Sequence, residues 1–243
     1  MSRWKRRCSL LGWVCAVAVT FNFSLIVGIL FKPEVAYGFV LPEDPLVGAG
    51  SRWEYESNLG KATVRMLSRE QIRSDVERYV WDLRVGGLRY LEELELTPDS
   101  LGVVDRELIG FGLLREHFVF LVPELVLELP LAVGREWEWT GSVERGNETR
   151  EAWASGKVLG VETIDVPAGR FITYHIQISR RDEFGTTQEI DLWFDPQVGP
   201  IRAVGDLQWR GLIGVLQSMV GMRRFEVELK TFTISPPKDG PLS

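Results

Sequence analysis

From residue 51 onward, apolar side chains recur at every second position over short stretches, and Gly, Pro, Asn or Asp breaks each stretch. Period two is the mark of a half-buried strand, because successive side chains point to opposite faces. The pattern predicts strands at 51–57, 61–68, 76–85, 88–95, 101–106, 115–121, 124–129, 135–144, 149–159, 170–180, 186–194, 200–209 and 223–233. Many short strands at this spacing belong to a sandwich or barrel rather than a doubly wound sheet. The expectation is an all-β domain over residues 50–235, a curved antiparallel sheet or partial barrel.

One hairpin can be read to the residue. Ile172, Tyr174, Ile176 and Ile178 alternate with Thr173, His175, Gln177 and Ser179; Ile190, Leu192 and Phe194 alternate with Glu189, Asp191 and Trp193. If Glu183-Phe184-Gly185 is a three-residue loop, Asp182 meets Thr186, Ile176 faces Leu192, and Tyr174 faces Phe194. A two-residue loop sets Ile176 against Glu or Asp, which a half-buried sheet rejects. Gly185 stands where such a loop needs a left-handed residue.

A phrase also recurs. Pro45-Leu46 leads to Gly50-x-x-Trp53-Glu54-Tyr55, and Pro130-Leu131 leads to Gly134-x-x-Trp137-Glu138-Trp139. Each is a turn glycine followed by a strand with two aromatics on one face. Either strands of this kind reuse one opening, or the domain has two related halves with both Trp rings inward.

Residues 211–222 depart from period two. Leu212, Val215, Leu216, Met219 and Val220 recur at helical spacing between Gly211 and Gly221, with Trp209, Arg210, Arg223 and Arg224 just outside. This predicts a short helix over an open end of the sheet, either a plug completing the core or an apolar lid touching ligand or membrane.

Ahead of the domain, Met1–Arg7 carries four basic residues and residues 8–31 carry no charge. That length favours an uncleaved membrane-anchoring helix, since spanning takes about 20 apolar residues. Asn22, Ser24 and the small residues Ala36 and Gly38 favour a cleaved signal peptide instead. Either way residues 1–38 direct export, 39–49 form a linker, and 236–243 form a disordered tail.

Removing residues 1–38 leaves 23 basic and 33 acidic side chains, an excess of acid that disfavours nucleic acid as a partner. Cys8 and Cys15 both lie in the apolar stretch, so the domain has no disulfide, thiolate nucleophile or Cys-based zinc site. Neither is preceded by the small residues that lipidation requires.

Four phrases occur in order: Gly50-x-x-Trp53-x-Tyr55; Pro130-Leu131-x-x-Gly134-x-x-Trp137-x-Trp139; Gly160-x-Glu162-x-x-x-Val166-Pro167-Ala168-Gly169-x-Phe171; and Leu192-Trp193-Phe194-x-Pro196-x-Val198-Gly199-Pro200-Ile201. Over residues 45–205 the chain resembles an uncharacterised family of secreted bacterial β proteins, some of them lipoproteins. It departs from that pattern at Phe194, Asp195 and Gln197, and it lacks a lipidated cysteine. The resemblance implies a periplasmic or otherwise exported envelope protein with a curved sheet or partial barrel, and no catalytic residues.

The residues assign no catalytic group, cofactor or metal ligand. His175 falls beside Trp193 with Asp191 and Glu189 as its register neighbours, too few partners for a ligand set. His117 reads as a strand edge. Glu92, Glu93, Glu95, Asp182, Glu183, Glu189 and Asp191 read as solvated faces. Nucleophile elbows and phosphate loops do not occur. Density of aromatics at alternate positions leads to a non-enzymatic envelope domain whose apolar interior is either core or a pocket for a lipid-like ligand. A protein-interaction or assembly module is the alternative, and a carboxylate-dependent hydrolase is the more distant one. The membrane is the partner expected for the N-terminal helix. A full-length protein tagged at its C-terminus should fractionate with membranes, its tag outside; a soluble form beginning at Phe39 would mark cleavage instead.

Overall fold

The structure, a computed structural model, describes residues 48–236 apart from 59, 86–87, 111–113 and 209–223. The N-terminal anchor or signal peptide, most of the linker, nearly all of the predicted tail, and the segment with Leu212, Val215, Leu216, Met219 and Val220 lie outside the described residues. Twelve strands run in sequence: β1 Arg52–Ser57, β2 Ala62–Arg73, β3 Val76–Val85, β4 Leu88–Leu96, β5 Ser100–Gly110, β6 Leu114–Glu128, β7 Glu136–Arg145, β8 Glu148–Val166, β9 Gly169–Asp182, β10 Thr187–Asp195, β11 Gly199–Gln208 and β12 Arg224–Thr233. Each pairs antiparallel with its sequence neighbours, and β1 pairs with β12 to close a barrel. The all-β expectation holds, and the sheet closes fully. Among the described residues no helix is long and apolar enough to cross a membrane.

The alternation sorts directly into inside and outside. Trp53, Tyr55, Trp81, Tyr90, Trp137, Ile176, Leu192, Phe194 and Leu229 point inward and are buried. Outside, charged side chains pair across strands, as in Arg78 with Glu93 and Glu95, or Lys157 with Glu136. Membrane-spanning barrels have the reverse arrangement, an apolar outer band around a polar lumen. This barrel is built for water outside.

The hairpin register is as read from the sequence. Ile176 faces Leu192, Ile178 faces Ile190, Tyr174 faces Phe194 and His175 faces Trp193. The Asp182 amide donates to the Thr186 carbonyl (3.1 Å), and Gly185 sits at φ 92°. One expectation is corrected: residues 115–121 and 124–129 belong to a single strand, β6. Pro123 cannot donate to a ladder, but β5 follows the distortion through its own register shifts at Leu101/Gly102 and Val103/Asp105. A β-carbon on Gly102 would come within 2.9 Å of Pro123.

The recurring phrase marks two equivalent halves. In the first, the Gly50 amide donates to Met66, the Met66 amide to Ser51, and the Ser51 amide to Gly48. In the second, Gly134 donates to Val158, Val158 to Arg135, and Arg135 to Ala132, and both turn glycines have positive φ. The bulges repeat as well. One falls between Met66 and Ser68 and its counterpart between Val158 and Gly160; another falls between Glu93 and Leu94 and its counterpart between Trp193 and Phe194. Trp53 and Trp137 each open a strand with the ring inward, six strands apart around the barrel. The turn Val166-Pro167-Ala168-Gly169 ends the longest hairpin and folds back onto β12, where the Ala168 amide donates to the Leu229 carbonyl (3.0 Å). Ile164, Val166, Ala168 and Phe171 pack there against the core.

Large rings fit because glycines face them. Gly156 is the ladder partner of Trp137, and a β-carbon there would stand 2.0 Å from the indole. Gly156→Ala should destabilise the fold by about 1–3 kcal/mol through overpacking. Gly160→Ala, where a β-carbon meets nothing within 4 Å, should cost well under 1 kcal/mol. Urea unfolding of the two variants measures the difference.

Candidate functional site

The barrel interior is not wholly apolar. Glu92 of β4, Arg106 of β5 and Glu124 of β6 are each 1 % exposed, and Arg180 of β9 closes the group. The Arg106 Nε donates to Glu92 Oε1 (2.5 Å), its Nη2 lies 3.8 Å from Glu124 Oε2, and Arg180 pairs with Glu124 Oε1. Both guanidiniums also stand over the ring of Phe120, at 5.4 and 5.8 Å, and Phe120 packs edge-on against Trp139. Gln188 of β10 is 2 % exposed nearby. Arg106, Arg180, Gln188, Phe118 and Phe120 line a cavity of about 20 Å³.

Phase along each strand places most of this cluster. Glu92 is in step with Tyr90 and Leu94, Arg180 with Ile176 and Ile178, and Gln188 with Ile190 and Leu192. Counted this way, Glu92 was legible as inward, and its assignment to a solvated face is corrected. Arg106 was not legible. Leu101 and Val103 point inward, so strict alternation would send Asp105 in and Arg106 out. The bulge opposite Glu93/Leu94 adds one residue and reverses the parity.

The charges balance, two guanidiniums against two carboxylates, but burial shifts Glu92 and Arg180. Desolvation pushes the Glu92 carboxyl above its ordinary range despite Arg106. Desolvation likewise pulls the Arg180 guanidinium down despite Glu124. Glu92 Oε2, Glu124 Oε2, Arg106 Nη2 and both amide atoms of Gln188 have no hydrogen-bond partner. A buried network of this kind adds little net stability relative to an apolar core of the same volume.

A second group lies outside. His175 Nδ1 meets Glu162 Oε1 (2.9 Å) and its Nε2 meets Asp191 Oδ1 (2.9 Å). Its ring stacks on Trp193 at 4.5 Å, the Trp193 indole donates to Glu162 Oε2, and Arg202 stands 5.2 Å over Trp193. The hairpin reading supplied Asp191 and Trp193. It missed Glu162, which enters from β8 through a register set by the Pro167 turn. Glu189 goes instead to Ser179. His117 binds Asp105 (2.6 Å) at the surface. The two His175 carboxylates approach opposite ring nitrogens, so this is a cross-strand clamp, and among the described residues no group of His, Cys, Asp or Glu is arranged to hold a metal ion.

No family profile matches the sequence, and no curated protein does. Two crystal structures match the chain at low identity. A lipoprotein candidate from Parabacteroides distasonis matches at 12 % identity and TM-score 0.40, over 85 % of this chain and 99 % of its own. A candidate exported protein with a YmcC-like fold, from Bacteroides fragilis, matches at 8 % identity and TM-score 0.46, again over 85 % and 99 %.

Glu92 also predicts a pH dependence. Its raised native pKa means that its favourable contribution is complete below the unfolded value, about pH 4.3, and declines as pH rises through the native one. Glu92→Gln should remove that decline. Urea midpoints of wild type and variant, compared from pH 4 to 8, should diverge in the variant's favour as pH rises.

Proposed function

We propose that this chain is a non-enzymatic, exported cell-envelope module that binds another protein through its outer surface. The observation carrying this reading is the filled interior. Trp53, Tyr55, Trp81, Tyr90 and Phe194 occupy the barrel, and the interior cavity measures about 20 Å³, whereas small-molecule pockets run to about 300–1,000 Å³. The larger clefts, of about 460 and 310 Å³, are lined largely by charged and polar residues, Glu93, Asp105 and His117 in one and Glu138, Arg180 and Arg181 in the other, which suits a lipid-like ligand poorly. Export rests on the basic-then-uncharged order of residues 1–31. A hydrolase would need two free carboxylates in a cleft, while Glu92 and Glu124 lie buried against guanidiniums and Glu162 and Asp191 hold His175.

The surface feature favouring a protein partner is the junction of β6 with β7. These strands form ladder pairs at Phe118–Phe120 with Val143–Arg145. Beyond that point Leu121 and Val122 are more than half exposed, as is Val133 in the following connection. Strand edges beside exposed apolar side chains suit an extended polypeptide, whose main chain adds to the ladder while its side chains cover the apolar surface.

Native mass spectrometry of full-length protein taken from its host membrane into detergent, with lipid extraction, should show no stoichiometric lipid in the barrel. A photo-crosslinker placed at Val122 in cells should give a discrete protein adduct, and one at Thr149 should not. One equivalent of tightly held lipid, or equal crosslinking at both positions, would overturn the reading.

A further inference from the structure

The chain enters and leaves the barrel at one end. The Gly48 amide donates to the Ser235 carbonyl (2.6 Å), and the Ser51 hydroxyl donates to the Gly48 carbonyl (2.8 Å). The β2–β3 and β8–β9 hairpins turn at this same end, and both carry apolar side chains into water there. Leu67, Ile72 and Leu159 are the extra residues of bulges at Met66/Ser68, Gln71/Arg73 and Val158/Gly160, so the ladder leaves them unpaired, and each is exposed. Val161 and Ile172 are 45 % and 51 % exposed. They stand diagonally across the β8–β9 ladder, opposite Tyr174 and Thr163, and so share one face. Alternate residues Ile164, Val166 and Phe171 supply the other face, which packs on the core. Phe232, also exposed, meets Phe171 edge-on at 6.2 Å.

Charge at the two hairpin tips is paired off. Arg170 bonds Asp165 at 2.9 and 3.0 Å, and Arg73 lies 3.8 Å from Asp75. The domain as a whole is acidic, but these tips carry no net charge for anionic headgroups to repel. Sixteen residues, 32–47, separate Gly48 from the uncharged stretch 8–31 that the sequence predicts to anchor in a membrane. A chain of that length spans about 20–24 Å on average as a coil and at most about 55 Å fully extended. Thr149 and Val161 lie on one strand, twelve residues and roughly 40 Å apart, so such a tether favours the Gly48 end over the far one. Tethering also makes docking intramolecular, and a few apolar side chains then suffice where they would not hold a free protein.

We infer that this end of the barrel docks on the lipid surface, with Phe232 and the exposed apolar side chains of the two hairpins seated at the boundary of headgroups and acyl chains. The occupant is the bilayer because the chain's own apolar stretch leads toward it from this end. The inference rests on the membrane-anchored reading of residues 1–31. It does not involve the β6–β7 junction, where Leu121 and Val122 lie away from both hairpin tips.

Full-length protein reconstituted in phosphatidylcholine vesicles, with a photoreactive diazirine residue at one position, reads the contact by mass spectrometry of its adducts. Diazirines at Ile172 and Phe232 should capture phosphatidylcholine, and one at Thr149 should not. Ile172→Asp, at an exposed position, should leave Tm nearly unchanged and reduce lipid capture at Phe232 severalfold. Vesicle flotation separates the two readings. Protein that does not float refutes the anchor and the docking together, whereas protein that floats and captures no lipid at Ile172 or Phe232 overturns the docking alone. Equal capture at Thr149 would overturn it too, as would adducts between protein copies at Ile172 in place of lipid, which assign this face to a second copy. Should Ile172→Asp fail to fold, the capture pattern at the three positions decides.

Discussion

Closing twelve strands into one barrel while keeping its interior filled is the constraint on which the rest of the structure depends. A barrel of about eight strands is just filled by ordinary side chains, and wider ones leave a lumen. Here the extra width is taken up by indoles and phenols on alternate positions, which explains why so much Trp, Tyr and Phe is needed. Rings of that size cannot all stand upright from neighbouring strands. Trp137 therefore lies across Gly156, Trp139 across Gly141 and Phe225 across Gly205. The same rings tie the barrel end together: the Trp53 indole donates to the Val198 carbonyl (2.8 Å) and the Tyr55 hydroxyl to the Pro200 carbonyl (3.1 Å).

The two halves repeat in backbone and differ in chemistry. Two ladder pairs before the same bulge, the first half carries Glu92 opposite Arg106, and the second carries Leu192 opposite Ala203. Trp53 and Tyr55 find carbonyl partners, while their counterparts Trp137 and Trp139 keep buried N–H groups with no hydrogen-bond partner. The β12–β1 junction pairs along the whole of β1, and the β6–β7 junction pairs only at one end. The features that recur in the two halves are the hydrogen bonds and bulges of the ladder. The halves differ in side chains, and the interior charges and the incompletely paired junction both lie at such differences.

The two polar groups have different consequences because they face different solvents. Around His175, water screens the ion pairs and the clamp contributes little beyond fixing which strands lie side by side. Inside, removing Glu124, which faces both Arg106 and Arg180, would leave an uncompensated charge, at a cost of about 3–5 kcal/mol. That asymmetry makes loss of an interior partner far more costly than loss of an outer one.

The sequence by itself determined the all-β class, where most strands lie though not where they end, the β9–β10 register, the recurring Gly-x-x-Trp opening and the direction in which Trp53, Trp137, Ile176 and Leu192 point. Those features follow from local rules: period two sets the face, and the Glu183-Phe184-Gly185 loop fixes which residues can meet. Glu92, Arg180 and Gln188 were legible by the same count of phase. Closure of the sheet, the union of residues 114–128 into one strand, the inward turn of Arg106 and the approach of Glu162 to His175 were decided only by tertiary structure. Each depends on a bulge or a pairing between strands distant in sequence, and a single inserted residue reverses which face every later side chain occupies. Alternation alone carries no record of where that reversal occurs.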